Sequence, residues 1–223
     1  MPIARKVLNS IQLLIFDLDG TLIDSKLDLA LSVNAMLTQV GRGPLPHDLI
    51  GTYVGHGVAK LVRRALGEAA SDSEVETCVT IFIEHYRKHM LDNTVAYPGV
   101  IEALDTLDGR GLAVLSNKPV VFSCEILAGL KMARYFAFIY GGNSFEQKKP
   151  DPMGVRKLMA DLHATPQQTL IIGDSDTDVL TGRNAGVWTC GVTYGFGAPT
   201  LASAPADLML DDLRQLPPLL EGK

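Results

Sequence analysis

The chain has 223 residues, of which 47% are apolar and 20% charged, with a formal net charge of −5. This length suits one large domain, or one domain carrying a modest insert, and the apolar share is enough for a substantial core. The acidic balance argues against nucleic-acid binding, because the basic pairs Arg63-Arg64 and Lys148-Lys149 form no patch, and no stretch approaches the length of a membrane span.

Residues 1–10 carry positive charge but no apolar run ahead of the first strand, so they do not read as a signal peptide. The three cysteines, Cys78, Cys124 and Cys190, are widely spaced and form no CxxC, which points to packing residues in a soluble cytoplasmic protein. Leu13-Leu14-Ile15-Phe16 is an apolar run that stops at Asp17, Asp19 and Gly20, the pattern of a buried parallel strand. Ligands in open parallel sheets bind beyond the carboxyl ends of the strands, which is where both acids fall. Two carboxylates this close repel unless a cation sits between them, and a hard oxygen-binding ion such as Mg²⁺ meets that need.

Residues 24–92 read as all-helical. Asp24 or Ser25 caps a helix over about 26–40, with Leu27, Ala30, Leu31 and Leu37 near helical spacing. Gly51 to Gly57 is a glycine-punctuated loop, Val58 to Leu66 a second helix, and Ser71 with Glu74 a capping box opening a third. Tyr97-Pro98-Gly99 marks the return. Strands and helices then alternate: a helix over 100–109, strand 112–115, a helix to about Leu130, strand 137–140, a helix from Asp151 or Pro152 to about His163, strand 170–172, helix 176–185, strand 188–192, and a last short strand 208–210. The stretch from Gly195 to Pro205 reads as loop. Such alternation implies βαβ units and a parallel sheet. The expected fold is therefore α/β, a Rossmann-like parallel core (1–23 and 93–223) with an inserted helical domain (24–92).

Three strand ends carry polar, chemically capable residues: Asp17 and Asp19, Ser116 and Asn117, Asp174 and Asp178. With the lysine loop at Lys149, they converge on one sheet edge. Asp17-x-Asp19-x-Thr21, Ser116-Asn117, Lys149-Pro150 and Gly173-Asp174-x-x-x-Asp178 resemble the four ordered motifs of the haloacid dehalogenase superfamily. The helical insert resembles that superfamily's small cap. Val54-Gly55-His56-Gly57, Leu61 to Leu66, Tyr97-Pro98-Gly99-Val100 and Ser116-Asn117-Lys118-Pro119 are similar to its phosphoglycolate phosphatases.

The resemblance implies a Mg²⁺-dependent phosphomonoesterase acting on a small phosphorylated metabolite, with 2-phosphoglycolate the first expectation. It makes Asp17 the nucleophile that forms an aspartyl-phosphate. Asp19 becomes the general acid and then the base, with a carboxyl pKa raised in the complex. The metal would be held by Asp17, the Asp19 carbonyl and Asp174, with Asp178 either a ligand through water or a residue supporting the ligands from behind. Ser116 and Asn117 would donate to the phosphoryl group, and Lys149 would supply positive charge. In the insert, His56 and Arg63 are candidates for a substrate carboxylate, with Lys60 beside them. A phosphosugar or amino-sugar phosphate phosphatase or phosphomutase, a non-catalytic phospho-ligand sensor and a dehalogenase are the alternatives. The protein is expected to be a monomer or homodimer.

Other patterns carry less. Asp174 to Asp178 lacks the glycine and glutamate of a calcium loop, and His85 and His89 lack both the intervening glutamate and a third ligand of a zinc helix. No GxSxG or Walker A motif is present.

Overall fold

The computed structural model describes residues 5–107 and 109–221. In chain order, a short helix α1 (Arg5–Leu8) leads into strand β1 (Leu13–Phe16) and a two-residue strand β2 (Ile23–Asp24). Four helices follow: α2 (Lys26–Gln39), α3 (His47–Gly51), α4 (Val58–Leu66) and α5 (Asp72–His89). The chain returns through β3 (Val95–Ala96) and continues as α6 (Val100–Asp105), β4 (Gly111–Leu115), α7 (Val120–Gly129), β5 (Phe138–Tyr140), α8 (Met153–Asp161), β6 (Thr169–Gly173), α9 (Asp176–Ala185), β7 (Trp188–Val192), β8 (Leu208–Leu210) and α10 (Leu216–Leu220).

The apolar run at β1 takes the centre of the sheet because all four of its side chains must be covered. β4 flanks it on one side and β6 on the other, both parallel. The six-stranded order is β5-β4-β1-β6-β7-β8, with every pair parallel. Side chains alternate across a strand. Leu14 and Phe16 accordingly join the apolar cluster on one face of the sheet, while Leu13 and Ile15 join Val155 and Leu158 of α8 on the other. The sheet order reverses at β1, since β4 and β5 lie to one side and β6, β7 and β8 to the other. Such a reversal opens a crevice at the carboxyl ends of the strands.

The helical segment α2–α5 is inserted above that crevice, and β2 and β3 close its base as an antiparallel pair that sequence reading did not anticipate. Asp28 in the first turn of α2 is fully buried and fastens this base. Its carboxylate accepts from the backbone N–H of Asn93 (3.1 and 3.0 Å) and of Thr94 (2.8 Å), from Asn93 Nδ2 (2.8 Å) and from Thr94 Oγ1 (2.8 Å). The same apolar cluster that lines one sheet face runs up into the insert through Leu29, Leu61, Phe82 and Tyr86. Tyr86 meets Phe122 of α7 edge-on at 5.5 Å.

Several local expectations change. The helix expected over 100–109 ends at Asp105, because Thr106 Oγ1 bonds back to the Ala103 carbonyl (2.9 Å) and Leu107 turns into the core; Asp108 lies outside the described residues. On α2, Leu27 and Leu31 face out, and Leu29, Ala30, Val33, Met36 and Leu37 form the buried stripe. Half of the expected capping box forms: Ser71 Oγ accepts from Glu74 N–H (3.2 Å), while the Glu74 carboxylate goes to Arg42 (2.5 Å). The Gly195 to Pro205 stretch contains a 3₁₀ turn at Ala198–Ala202.

Candidate active site

The β1 ladder runs one residue past the strand, with Asp17 N–H donating to the Ile172 carbonyl (2.8 Å). The chain then turns sharply. Leu18 N–H donates to Asp17 Oδ1 (2.7 Å), and Gly20 adopts φ +83°. A Cβ on Gly20 would lie 2.1 Å from Asp174 Oδ2, so only glycine lets the turn approach the end of β6 this closely. The second wall is β6, whose last residue, Gly173, gives way to Asp174.

Asp17, Asp174 and Asp178 are all buried, and each offers an oxygen within 4.8 Å of the others. Lys149 Nζ is inserted among them, 2.9 Å from Asp17 Oδ1 and 2.6 Å from Asp178 Oδ1. Asp178 Oδ2 also accepts from the Ser175 N–H (3.1 Å) and Oγ (2.7 Å), so both of its oxygens are committed. Asp174 Oδ2 accepts from Gly197 N–H (2.7 Å). The contacts on Asp17 fall on Oδ1, which leaves Oδ2 for chemistry.

Burial first, and then the neighbouring Asp178, raise the Asp17 carboxyl to about 6 against the pull of Lys149. Burial and the charges of Asp178 and Asp17 push Asp174 well above the ordinary carboxylate range. Burial disfavours the Lys149 ammonium, but Asp17 and Asp178 outweigh it and hold its pKa above the ordinary value. Three buried carboxylates against one ammonium leave surplus negative charge on hard oxygen donors. That donor set fits a divalent cation, with Asp17 and Asp174 as the carboxylates that still have lone pairs to give.

Asp19 faces a different wall. Its carboxylate accepts from Ser25 Oγ (2.5 Å) and from Lys118 Nζ at 2.9 and 3.1 Å, one contact to each oxygen. Between these groups and the helical insert lies a cavity of about 40 Å³, lined from below by Asp17, Asp19, Ser116, Asn117 and Lys118 and from above by Leu29, Val54, Gly55, Gly57, Val58 and Leu61.

The profile of the family described as haloacid dehalogenase-like hydrolase matches residues 14–192. The chain belongs to this family. Over 217 residues it is 42% identical to a protein named phosphoglycolate phosphatase from Pseudomonas putida KT2440, covering 93% of this chain and 79% of the relative. A phosphoglycolate phosphatase from Psychrobacter arcticus is 43% identical over 195 residues, covering 83% of this chain and 84% of that one. A crystal structure described as a predicted phosphoglycolate phosphatase from Haemophilus somnus 129PT superposes with a TM-score of 0.88 at 31% identity, covering 93% of this chain and 96% of that chain.

Within this haloacid dehalogenase-like site, the structure brings Asp17, Asp19, Ser116, Asn117, Lys149, Asp174 and Asp178 together and leaves the expected residues of the insert elsewhere. Ser116 is buried, and its Oγ accepts only a long contact from Lys118 N–H (3.3 Å), so its hydroxyl proton is free to donate. The Asn117 side chain was expected to donate to the phosphoryl group, but both of its amide hydrogens are spent: Nδ2 donates to the Gly55 carbonyl of the insert (2.9 Å) and to the Lys149 carbonyl (3.1 Å). It ties three segments together, the strand end after β4, the insert and the lysine loop.

His56 does not line the cavity. It lines a separate cleft with Ser175, Asp176 and Thr177, 3.5 Å from Arg64 Nη1, and burial together with the Arg64 and Lys60 charges lowers its pKa. A neutral ring is a poor anion ligand. Arg63 pairs with Asp72 and bonds the Ala70 carbonyl (3.1 Å) within the insert, and Lys60 is exposed.

Sequence reasoning missed four participants. Lys118 was quoted in the Ser116-Asn117-Lys118-Pro119 segment without a role. Asp24 or Ser25 was expected to cap α2; Ser25 stands at the N-cap, but its hydroxyl turns to Asp19, and Asp24 Oδ1 accepts from Lys26 N–H (3.1 Å). Gly195 and Gly197 were read as loop, yet they pack against Asp174, and a Cβ on Gly195 would meet Asp174 Cβ at 2.3 Å.

Proposed function

We propose that this hydrolase is a Mg²⁺-dependent phosphomonoesterase that converts 2-phosphoglycolate to glycolate and phosphate through an aspartyl-phosphate on Asp17. The observation that carries the reading is the division of labour between the two acids. Asp17 has one oxygen anchored by Leu18 N–H and Lys149 and the other free. Asp19 lines the same cavity, held by Lys118 and Ser25, where a leaving group would exit. The names of the relatives supply the substrate.

Asp17 Oδ2 attacks phosphorus in line with the ester oxygen, and the ester bond breaks. The Asp19 carboxyl gives its proton to the departing alkoxide. Asp19 then takes a proton from water, which attacks the phosphorus of the acyl-phosphate, releasing phosphate and restoring Asp17. Lys149 neutralises Asp17 and the phosphoryl oxygens throughout, and Asp178 holds Lys149 in place. The Ser116 hydroxyl and the Asn117 backbone N–H donate to the phosphoryl oxygens. Asp17, Asp174 and the Asp19 carbonyl are the groups that would hold Mg²⁺, which supplies Lewis-acid charge against the phosphoryl oxygens. Asp178, with both oxygens engaged, acts outside the direct ligand set.

The insert, residues 24–92, serves as a cap over the nucleophile. Its wall of Leu29, Val54, Val58 and Leu61 offers no partner for a sugar's hydroxyl groups, which favours a small substrate over a hexose phosphate. The test is phosphate release from a panel of small monoesters in Mg²⁺ and in EDTA. The proposal requires 2-phosphoglycolate to give the highest kcat/KM and EDTA to abolish turnover. A hexose or amino-sugar phosphate leading the panel, or turnover only with a phosphorylated sugar activator, overturns it.

A further inference from the structure

The cavity has one cationic side chain on its lining, and that side chain belongs to the core, not to the cap. Of the lining residues, Asp17 and Asp19 are acids, Ser116 and Asn117 are neutral, and the cap contributes four aliphatic side chains and two glycines; Lys118 alone carries positive charge. The basic residues at this end of the cap are directed elsewhere. Arg63 pairs with Asp72, Arg64 donates to the Tyr53 carbonyl (3.1 Å), and Lys60 is exposed.

Lys118 is also held in place from several sides. Its side chain is 5% exposed, its Nζ lies 2.9 and 3.1 Å from the two Asp19 oxygens, and it sits 4.8 Å from the centre of the Tyr86 ring. Burying an ammonium is costly unless it is paired, and Asp19 supplies the pair. Tyr86 lies on α5 of the cap, so the cation is sandwiched only when cap and core meet. An ammonium has three N–H donors. Two are taken by the Asp19 oxygens, the Tyr86 hydroxyl is the remaining protein group beside the ammonium, and the side chain still lines the cavity.

We propose that Lys118 is the specificity residue of this site: it recognises a carboxylate attached to the carbon that bears the ester oxygen, and so selects phosphate esters of 2-hydroxy acids. This rests on the reading above, in which Asp19 meets the ester oxygen. In such a substrate the carboxyl carbon is bonded to the carbon next to that oxygen. A cation paired with Asp19 is therefore adjacent to the carboxylate whenever Asp19 reaches the leaving atom. The aliphatic cap wall then covers the short remainder of the molecule, and a longer or hydroxylated leaving group would bury unpaired hydroxyls against it.

The experiment compares kcat/KM for 2-phosphoglycolate with that for ethyl phosphate, which has the same carbon count and no carboxylate, in excess Mg²⁺. The substrate ratio is measured in the unaltered protein, in Lys118→Met, and in Lys118→Gln, whose amide still donates to Asp19 but carries no charge. In the unaltered protein 2-phosphoglycolate leads by about 100-fold or more, and both variants lose about 100-fold of that ratio, the scale for truncating a desolvated charge pair. Variants that slow both substrates alike and keep the ratio overturn the inference while leaving the phosphatase reading intact. If the unaltered protein hydrolyses ethyl phosphate but not 2-phosphoglycolate, the substrate reading itself fails, and the inference fails with it.

Discussion

Replacing Asp17 should stabilise the metal-free protein. Asp17 is buried beside Asp178 and Asp174, and its carboxyl is raised from 3.8 to about 6 even with Lys149 attached. A group whose folded pKa lies above its unfolded value binds more protons when folded. Stability therefore rises as pH falls through about 6, the gain is complete below about 4, and the full penalty applies above 6. Two pKa units correspond to about 3 kcal/mol. Asp17→Asn removes this charge while keeping the shape, and Lys149 retains Asp178 at 2.6 Å. At pH 7.5 in EDTA the variant should gain about 1–3 kcal/mol, or about 3–10 °C in Tm for a chain of this size. It should also lose the Asp17 share of the stability rise between pH 7 and 4, while the share from the raised Asp174 carboxyl remains. Added Mg²⁺ should stabilise the unaltered protein and barely shift the variant, whose turnover should fall by about four orders of magnitude or more. Calorimetry across pH, with and without EDTA, reads all of this. An Asp17→Asn variant that melts at or below the unaltered protein in EDTA, with a parallel pH slope, refutes the charge argument.

Asp28→Ala should cost about 2–4 kcal/mol in urea unfolding, because the Asn93 and Thr94 donors at the base of the cap lose a buried charged acceptor; a loss under about 0.5 kcal/mol would contradict it. Gly20→Ala should cut kcat/KM by about 100-fold or more and weaken Mg²⁺ binding measured by titration calorimetry, since the new Cβ meets Asp174 Oδ2 at 2.1 Å and φ is +83°. Arg63→Ala should leave kcat/KM within about twofold, because its partner Asp72 is exposed and neither residue reaches the cavity; a selective rise in KM for 2-phosphoglycolate would return Arg63 to the site.

The sheet was legible because its strands are short apolar runs, the central four of them, β4, β1, β6 and β7, buried on both faces. β7 and β8 fall at the expected residues, and β4, β5 and β6 within one. Asp17, Asp19, Lys149 and Asp174 were legible because each stands at a strand end or in the one lysine loop, where chain order and chemistry coincide. What could not be read was pairing across distance. Nothing local says that Lys118 lies against Asp19, 99 positions earlier in the chain, or that Ser25 turns away from its helix. The cap residues failed for a related reason. His56 and Arg63 follow a glycine loop as ligands might, but Asp72 and Arg64 claim or neutralise them, and those partners are set by how α4 packs on its neighbours. Apolar residues on nearly every side of α2 hid which stripe is buried, so the near-helical spacing of Leu27 and Leu31 did not reveal that both face out.

The central claim is that Asp17 accepts the phosphoryl group before water does. Hydrolysis in Mg²⁺ of a phosphorothioate monoester made chiral at phosphorus with two oxygen isotopes, run in water carrying the third, tests it most directly. Two successive in-line displacements, one by Asp17 and one by water, predict retention of configuration in the released thiophosphate. Inversion would mean a single direct attack by water and would contradict the assignment of Asp17 as nucleophile.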